Sequence, residues 1–226
     1  MTPLELLAPD LWVVDRPQRA AGFELGHRMT VLRLASGKLL IHSPVALDEE
    51  TASQVDALGE VAFIVAPSLM HNLHLGPWLD RYDTAQFNAP AGFERRNAAL
   101  RQPRVLTSDP ASFRDPGLIH EALEGIPKIN EVVFLHRPSK TLIVADLIFN
   151  LPPADGWMQS VLQRANGIAG RAAPSRLFRL HIRRREALRR SLDVVLSWEF
   201  DRLVPGHGRV IEAGGHGVLR TAFPWL

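Results

Sequence analysis

The sequence predicts an α/β sandwich in which two mixed β-sheets are flanked by helices. Two observations lead there. Short β-prone runs form an early hairpin, alternate with a helical segment, and recur as a second hairpin. A long helical pattern then precedes one more β run close to the C-terminus.

In order along the chain, residues 11–15 (LWVVD), 29–34 (MTVLRL) and 38–42 (KLLIH) read as strands, with Ala35, Ser36 and Gly37 as a tight turn between the last two. Ser43 and Pro44 end the third strand. Residues 48–59 predict a helix with Asp48 as N-cap and Leu47, Val55 and Leu58 on one face. The unbroken apolar run 61–66 (VAFIVA) suits a strand covered on both faces. Residues 67–78 form a polar turn, 86–89 a short strand, and Arg95 and Arg96 sit on a helix or loop. Residues 101–118, rich in Pro, Ser and Asp, read mostly as loop. Residues 131–135 (EVVFL) and 141–145 (TLIVA) form the second hairpin. A helical segment covers about 151–199, with a single long helix over 175–199 whose stripe is Leu177, Leu180, Ile182, Leu188 and Leu192. The last strand, RLVP at 202–205, runs into Gly206-His207-Gly208 and a glycine-rich tail.

At 226 residues, one domain spanning 1–226 is expected, and 46% apolar with 22% charged residues is ordinary globular composition. The absence of cysteine excludes disulfides, thiolate nucleophiles, Cys-ligated zinc and iron–sulfur clusters. Any metal must therefore use His, Asp, Glu or backbone oxygen. Lysine occurs only at 38, 128 and 140, so nearly all of the 26 cationic side chains are arginine. The arginines of 176–190 read as the solvated face of an amphipathic helix, and no nucleic-acid motif accompanies them. Neither a nucleic-acid nor a membrane partner is expected. The N-terminus lacks the basic region of a signal peptide and no run spans a bilayer, which predicts a cytoplasmic protein.

Three segments place metal-capable side chains just past buried strands: His71 and His74 after VAFIVA, Asp146 after TLIVA, and His207 after RLVP. Strand ends that share one sheet edge are where open α/β folds put ligands. Imidazole and carboxylate suit zinc, iron or manganese. His71 and His74, three apart, would share one face of a helical turn. His42, Asn130 and Glu131 are candidate pocket-lining residues. His136 is expected to be exposed in a hairpin turn, and His120, His181 and His216 to be surface or packing residues.

"TLIVAD" resembles the metal-bridging aspartate motif of the metallo-β-lactamase superfamily, "DRLVPGHG" resembles its terminal histidine motif, and "MTVLRLASGKLLIHSP" its opening hairpin. "IVAPS…H…GPW" and "PKINEVVFLHRPSKTLIVADLIFN" resemble the DUF4336 branch. The resemblance implies a four-layered αβ/βα sandwich and a metal centre. Against the superfamily's His-x-His-x-Asp-His run, Leu69 replaces the first histidine and Leu73 the aspartate, while His71 and His74 match. The middle histidine falls near Pro127 and is absent. The surviving set His74, Asp146 and His207, with His71 as an additional candidate, implies at most one zinc, iron or manganese ion. The expected function is a hydrolase-like protein acting on an unknown small molecule. The alternative is a non-enzymatic small-molecule or partner-binding relative, with Leu69 and Leu73 packing the emptied positions.

Overall fold

A computed structural model describes residues 3–20, 23–109, 112–154 and 156–226. Residues 110–111 of the expected loop, residue 155 of the expected helical segment and the first two residues lie outside the described part. The elements in chain order are β1 (Glu5–Ala8), β2 (Leu11–Arg16), β3 (Arg19–Ala20), β4 (Phe23–Glu24), β5 (His27–Arg33), β6 (Leu39–His42), α1 (Glu49–Leu58), β7 (Val61–Val65) and α2 (Leu75–Arg81). There follow β8 (Gln86–Pro90), α3 (Phe93–Arg96), β9 (Arg104–Leu106), β10 (Leu118–Ala122), β11 (Val132–His136), β12 (Thr141–Ile143) and β13 (Phe149–Asn150). The chain ends with α4 (Trp157–Asn166), α5 (Arg176–Leu180), α6 (Arg185–Leu196), β14 (Arg202–Val204), β15 (His207–Gly208) and α7 (Gly215–Ala222).

The large sheet has the order β1-β2-β5-β6-β7-β8-β9 and the second β10-β11-β12-β14, while β3-β4 and β13-β15 form two small two-stranded sheets. Strand alternation sorts their side chains into three apolar layers. Val31, Leu39 and Ile41 pack with Val55 of α1 and with Leu75 and Trp78 of α2. Their neighbours Leu32 and Leu40 face Val132, Phe134, Ile143 and Val204, which fills the space between the sheets. Val133, Leu135, Leu142 and Leu203 point the other way, onto Leu188, Leu192 and Val195 of α6 and Leu219 of α7. Helix, sheet, sheet, helix is therefore the layer order, as expected. Asp48 caps α1, its side chain accepting from the Thr51 N–H.

Four local points add to these expectations or correct them. The stretch read as loop contains the edge strand β9, whose first two residues are exposed, and it ends at the start of β10. Neither strand announces itself by a long apolar run. The single helix over 175–199 is two helices, because Gly125 O accepts from the N–H groups of Arg183 and Arg184 and draws the chain out of helical bonding. The stripe breaks there too: Leu177 and Leu180 are exposed while Phe178, Leu188 and Leu192 are buried. The glycine-rich tail forms α7. His136 is buried, its Nδ1 2.7 Å from Ser139 Oγ, because β11 runs one residue further than the apolar pattern.

No described helix is long and apolar enough to cross a membrane.

Candidate metal centre

β6 and β7 run parallel, and so do β12 and β14. Their C-terminal ends release Ser43, Ser68, Asp146 and Gly206 at one edge of the sandwich. β5 runs antiparallel to β6, pairing Thr30 with His42, so its N-terminal residue His27 reaches the same edge. Backbone bonds stitch the two sheets there: Leu69 N–H to Ile129 O at 2.8 Å, Val132 N–H to Pro67 O at 2.8 Å, and Arg28 N–H to Gly206 O at 2.9 Å.

Among the described residues, one group could hold a metal ion: His71, Asp146 and His207, with ligand atoms all within 4.8 Å of one another. His71 Nε2 and His207 Nε2 each stand 3.5 Å from the same Asp146 Oδ1. That is long for a hydrogen bond. Two ligand atoms about 2.0–2.1 Å from one tetrahedral ion stand about 3.4 Å apart, so the spacing suits an ion between them.

The supports of these side chains suit the same role. His207 Nδ1 donates to Gly26 O at 2.7 Å, since a carbonyl only accepts, which leaves Nε2 bare toward Asp146. Phe149 stacks on the His207 ring at 5.1 Å and 7°. Ser43 Oγ lies 2.7 Å from His71 Nδ1, and Ser43 itself holds a left-handed φ of 57°. Such strain in a non-glycine residue persists where the surroundings fix it. Gly206 is required by packing: a Cβ there would stand 2.9 Å from Ala145 O and 3.2 Å from His71 Cε1. Ser68 Oγ donates to Asp146 Oδ2 at 3.0 Å.

Glu131 is fully buried, and its oxygens accept from Ala145 N–H at 2.7 Å and Asp146 N–H at 3.0 Å. It therefore fixes the turn that aims Asp146. Burial and the Asp146 carboxyl push Glu131 well above the ordinary carboxylate range, against those backbone donors. Burial alone would raise Asp146 as well, but the facing His71 and His207 outweigh it and hold that carboxyl well below its usual value.

The other expected residues fall elsewhere. His74 is half-buried at the N-cap of α2 and outside the convergent group; residues between it and His71 are turn and coil, so the shared helical face does not form. Burial lowers its pKa. His42 does not line the site: strand parity turns it into the layer between the sheets, edge-on to Phe134. Asn130, at φ 50°, donates from Nδ2 to Ala91 O. Leu69 packs in the core as expected for an emptied position, but Leu73 is 68% exposed and fills nothing.

His27 carries no family motif, yet its ring lies 4.9 Å from His71, 5.9 Å from His74 and 6.0 Å from His207. Its Nε2 contacts Ser43 O at 3.2 Å and Ser43 Oγ at 3.1 Å. Burial first, then the neighbouring imidazoles, hold its pKa well below the usual value, so it is neutral near pH 7. A rule that looks only past strand ends misses it. The signal lay in the hairpin, which folds the start of β5 back beside the end of β6.

Residues 9–94 match the family model described as "Domain of unknown function (DUF4336)". A comparison with curated proteins gave no match. Among solved structures, the DIM-1 metallo-beta-lactamase exposed to ceftazidime aligns with a TM-score of 0.64 and 18% identity, over 97% of this chain and 96% of that one. A metallo-beta-lactamase from Pontibacter korlensis aligns at 0.60 and 12% identity, over 95% and 96%. The metal-soaked Flv1 flavodiiron core from Synechocystis sp. PCC6803 aligns at 0.67 and 11% identity, over 96% of this chain but 59% of that one. The fold is that of the metallo-β-lactamases, and the family-model match lies over the first part of the chain.

Proposed function

We propose that this chain is a hydrolase-like protein that holds one divalent ion, zinc, iron or manganese, between His71, Asp146 and His207. The observation that carries this reading is the pair of 3.5 Å distances from two imidazole nitrogens to one carboxylate oxygen. An ion in that place supplies Lewis acidity toward a substrate oxygen and toward water. The chain's own residues do the rest. Gly26 O fixes the tautomer of His207, Ser43 orients His71, and Glu131 with Ser68 orients Asp146. Two imidazoles and one carboxylate leave coordination positions open for a small molecule. The cysteine-free sequence accords with action in the cytoplasm.

Isothermal titration of chelator-stripped, untagged protein with zinc, iron(II) and manganese tests the reading. One ion per chain is expected, lost in His71→Ala, Asp146→Asn and His207→Ala but kept in His74→Ala. No binding by any of the three ions, or binding indifferent to His71→Ala, sinks it.

A second reading has one observation in its favour. At the position of the superfamily's aspartate stands Leu73, exposed and apolar, and the nearby acid Glu131 is committed to backbone donors. A protein that binds an ion or a small molecule without turnover would be built this way. Ester, lactone and phosphoester turnover by the ion-loaded chain separates the two: hydrolysis abolished by Asp146→Asn supports the first.

A further inference from the structure

Beside the cluster lies a cavity of about 940 Å³ between the β3–β4 hairpin and the start of α4. Gly26, His27 and Gly208 bring its lining to the cluster, since Gly26 O holds His207 and the His27 ring packs on His71. This volume is in the range of cavities that enclose small organic ligands. Gln159 Nε2 ties the two walls by donating to Glu24 O at 3.0 Å, and Gln163 Nε2 braces the α4 side by donating to Pro152 O at 3.2 Å. The space is therefore built before a ligand arrives.

Its chemistry is two-sided. Leu25, Leu151, Trp157 and Met158 give it apolar surface, and the last two are 80% and 60% exposed. Large apolar side chains left in water on a cavity lining are contact surface waiting for an apolar body. Four arginines and two acidic residues also line the space. Three of the arginines have ionic partners: Arg16 with Asp48, Arg19 with Glu24, and Arg28 with Asp15. Arg209 has none among the described residues, and it stands two residues after His207. Its backbone is clamped on both sides, Arg209 N–H to Asn150 O and Asn150 Nδ2 to Arg209 O, each at 2.8 Å. A fixed backbone thus anchors on the cavity lining one always-charged arginine with no ion-pair partner among the described residues.

We propose that the cavity binds an amphipathic monoanion, its apolar body against Trp157 and Met158 and its carboxylate, or an equivalent anionic group, on Arg209. This deepens the reading above by naming the class of molecule brought to the cluster, and it rests on that reading only for where chemistry would occur. A neutral apolar molecule would leave Arg209 without a counterion, and a cationic one would be repelled by it.

Octanoate, 1-octanol and octylamine serve as probes, titrated calorimetrically into the full chain in excess chelator, so that no metal contributes. Octanoate should bind one per chain, octanol at least tenfold more weakly, and octylamine not measurably. Arg209→Gln should bring octanoate down to the level of octanol while leaving octanol unchanged. Trp157→Ala should weaken both. Asp146→Asn should leave octanoate binding intact, so failure of the metal reading is distinct from failure here. Circular dichroism melts confirm that each variant is folded. Equal binding of octanoate and octanol, an Arg209→Gln variant that keeps its preference for octanoate, or no octanoate binding by the unmodified chain overturns the proposal.

Discussion

His42 should make this protein acid-sensitive, and replacing it should remove a defined part of that sensitivity. The side chain is 2% exposed, and its Nε2 has no hydrogen-bond partner among the described residues. Burial, with a smaller push from His71, lowers its pKa from 6.5 to about 3. Between those values the folded ring stays neutral while the unfolded ring takes up a proton. The unfolded state then binds more protons, so stability is lost as pH falls through the unfolded value. At pH 5 the loss from this one ring is about 2 kcal/mol, and it grows by about 1.4 kcal/mol for each further unit until the folded value is approached. His42→Leu keeps the volume nearly constant and removes both the proton site and the unpaired nitrogen, so at pH 8 it should change stability little. Urea unfolding at pH 8 and pH 5 measures the difference. On going to pH 5, the variant should gain about 2 kcal/mol relative to the parent chain. Identical pH slopes in the two proteins would refute the assignment of a neutral buried ring.

Glu131→Ala leaves the Ala145 and Asp146 N–H groups unpaired in a dry interior, at about 1–3 kcal/mol each. Glu131→Gln keeps one acceptor oxygen and should lose about half as much in urea unfolding; equal losses would contradict the account. Leu69→His, which puts an unpartnered imidazole into the core, should cost about 2–4 kcal/mol. Leu73→Asp, on an exposed position, should stay within about 0.5 kcal/mol, and neither change should add a second ion in calorimetry. Ion binding should slow amide hydrogen exchange at Arg28, Leu69 and Val132, whose bonds join the sheets beside the cluster. Unchanged exchange at all three would separate the ion from the seam.

The layers were legible because strand parity is written directly in the apolar pattern. Leu40 between Leu39 and Ile41, and Ile143 between Leu142 and Val144, already assign opposite faces. Asp146 and His207 were legible because each lies three residues past the end of a buried strand. His74 misled because its spacing from His71 suggested a helical face, whereas the chain between them is irregular and α2 starts only at Leu75. The break between α5 and α6 was hidden because its cause, Gly125 O, lies some sixty residues away in sequence. His27 was hidden for a similar reason: its role depends on antiparallel pairing, which returns the start of one strand to the end of the next.

The cluster is assembled across a seam, and that constrains what the leucine at position 69 does there. His71 follows β7 of the large sheet, whereas Asp146 and His207 follow β12 and β14 of the small one. Side chains from two sheets converge only if the sheets are locked in register, which the three backbone bonds at Arg28, Leu69 and Val132 do, joined by Arg28 Nη1 to Pro205 O at 2.9 Å. At position 69 the apolar side chain docks the loop among Leu75, Trp78 and Leu79, while its N–H holds Ile129 O. His71, two residues on, is thus aimed by core packing on one side and by Ser43 on the other. Histidine at 69 would offer a ligand and weaken that anchor, because an imidazole is poorly placed in an apolar core. The leucine therefore has a structural role at the site: it anchors the loop that carries His71 toward Asp146 and His207.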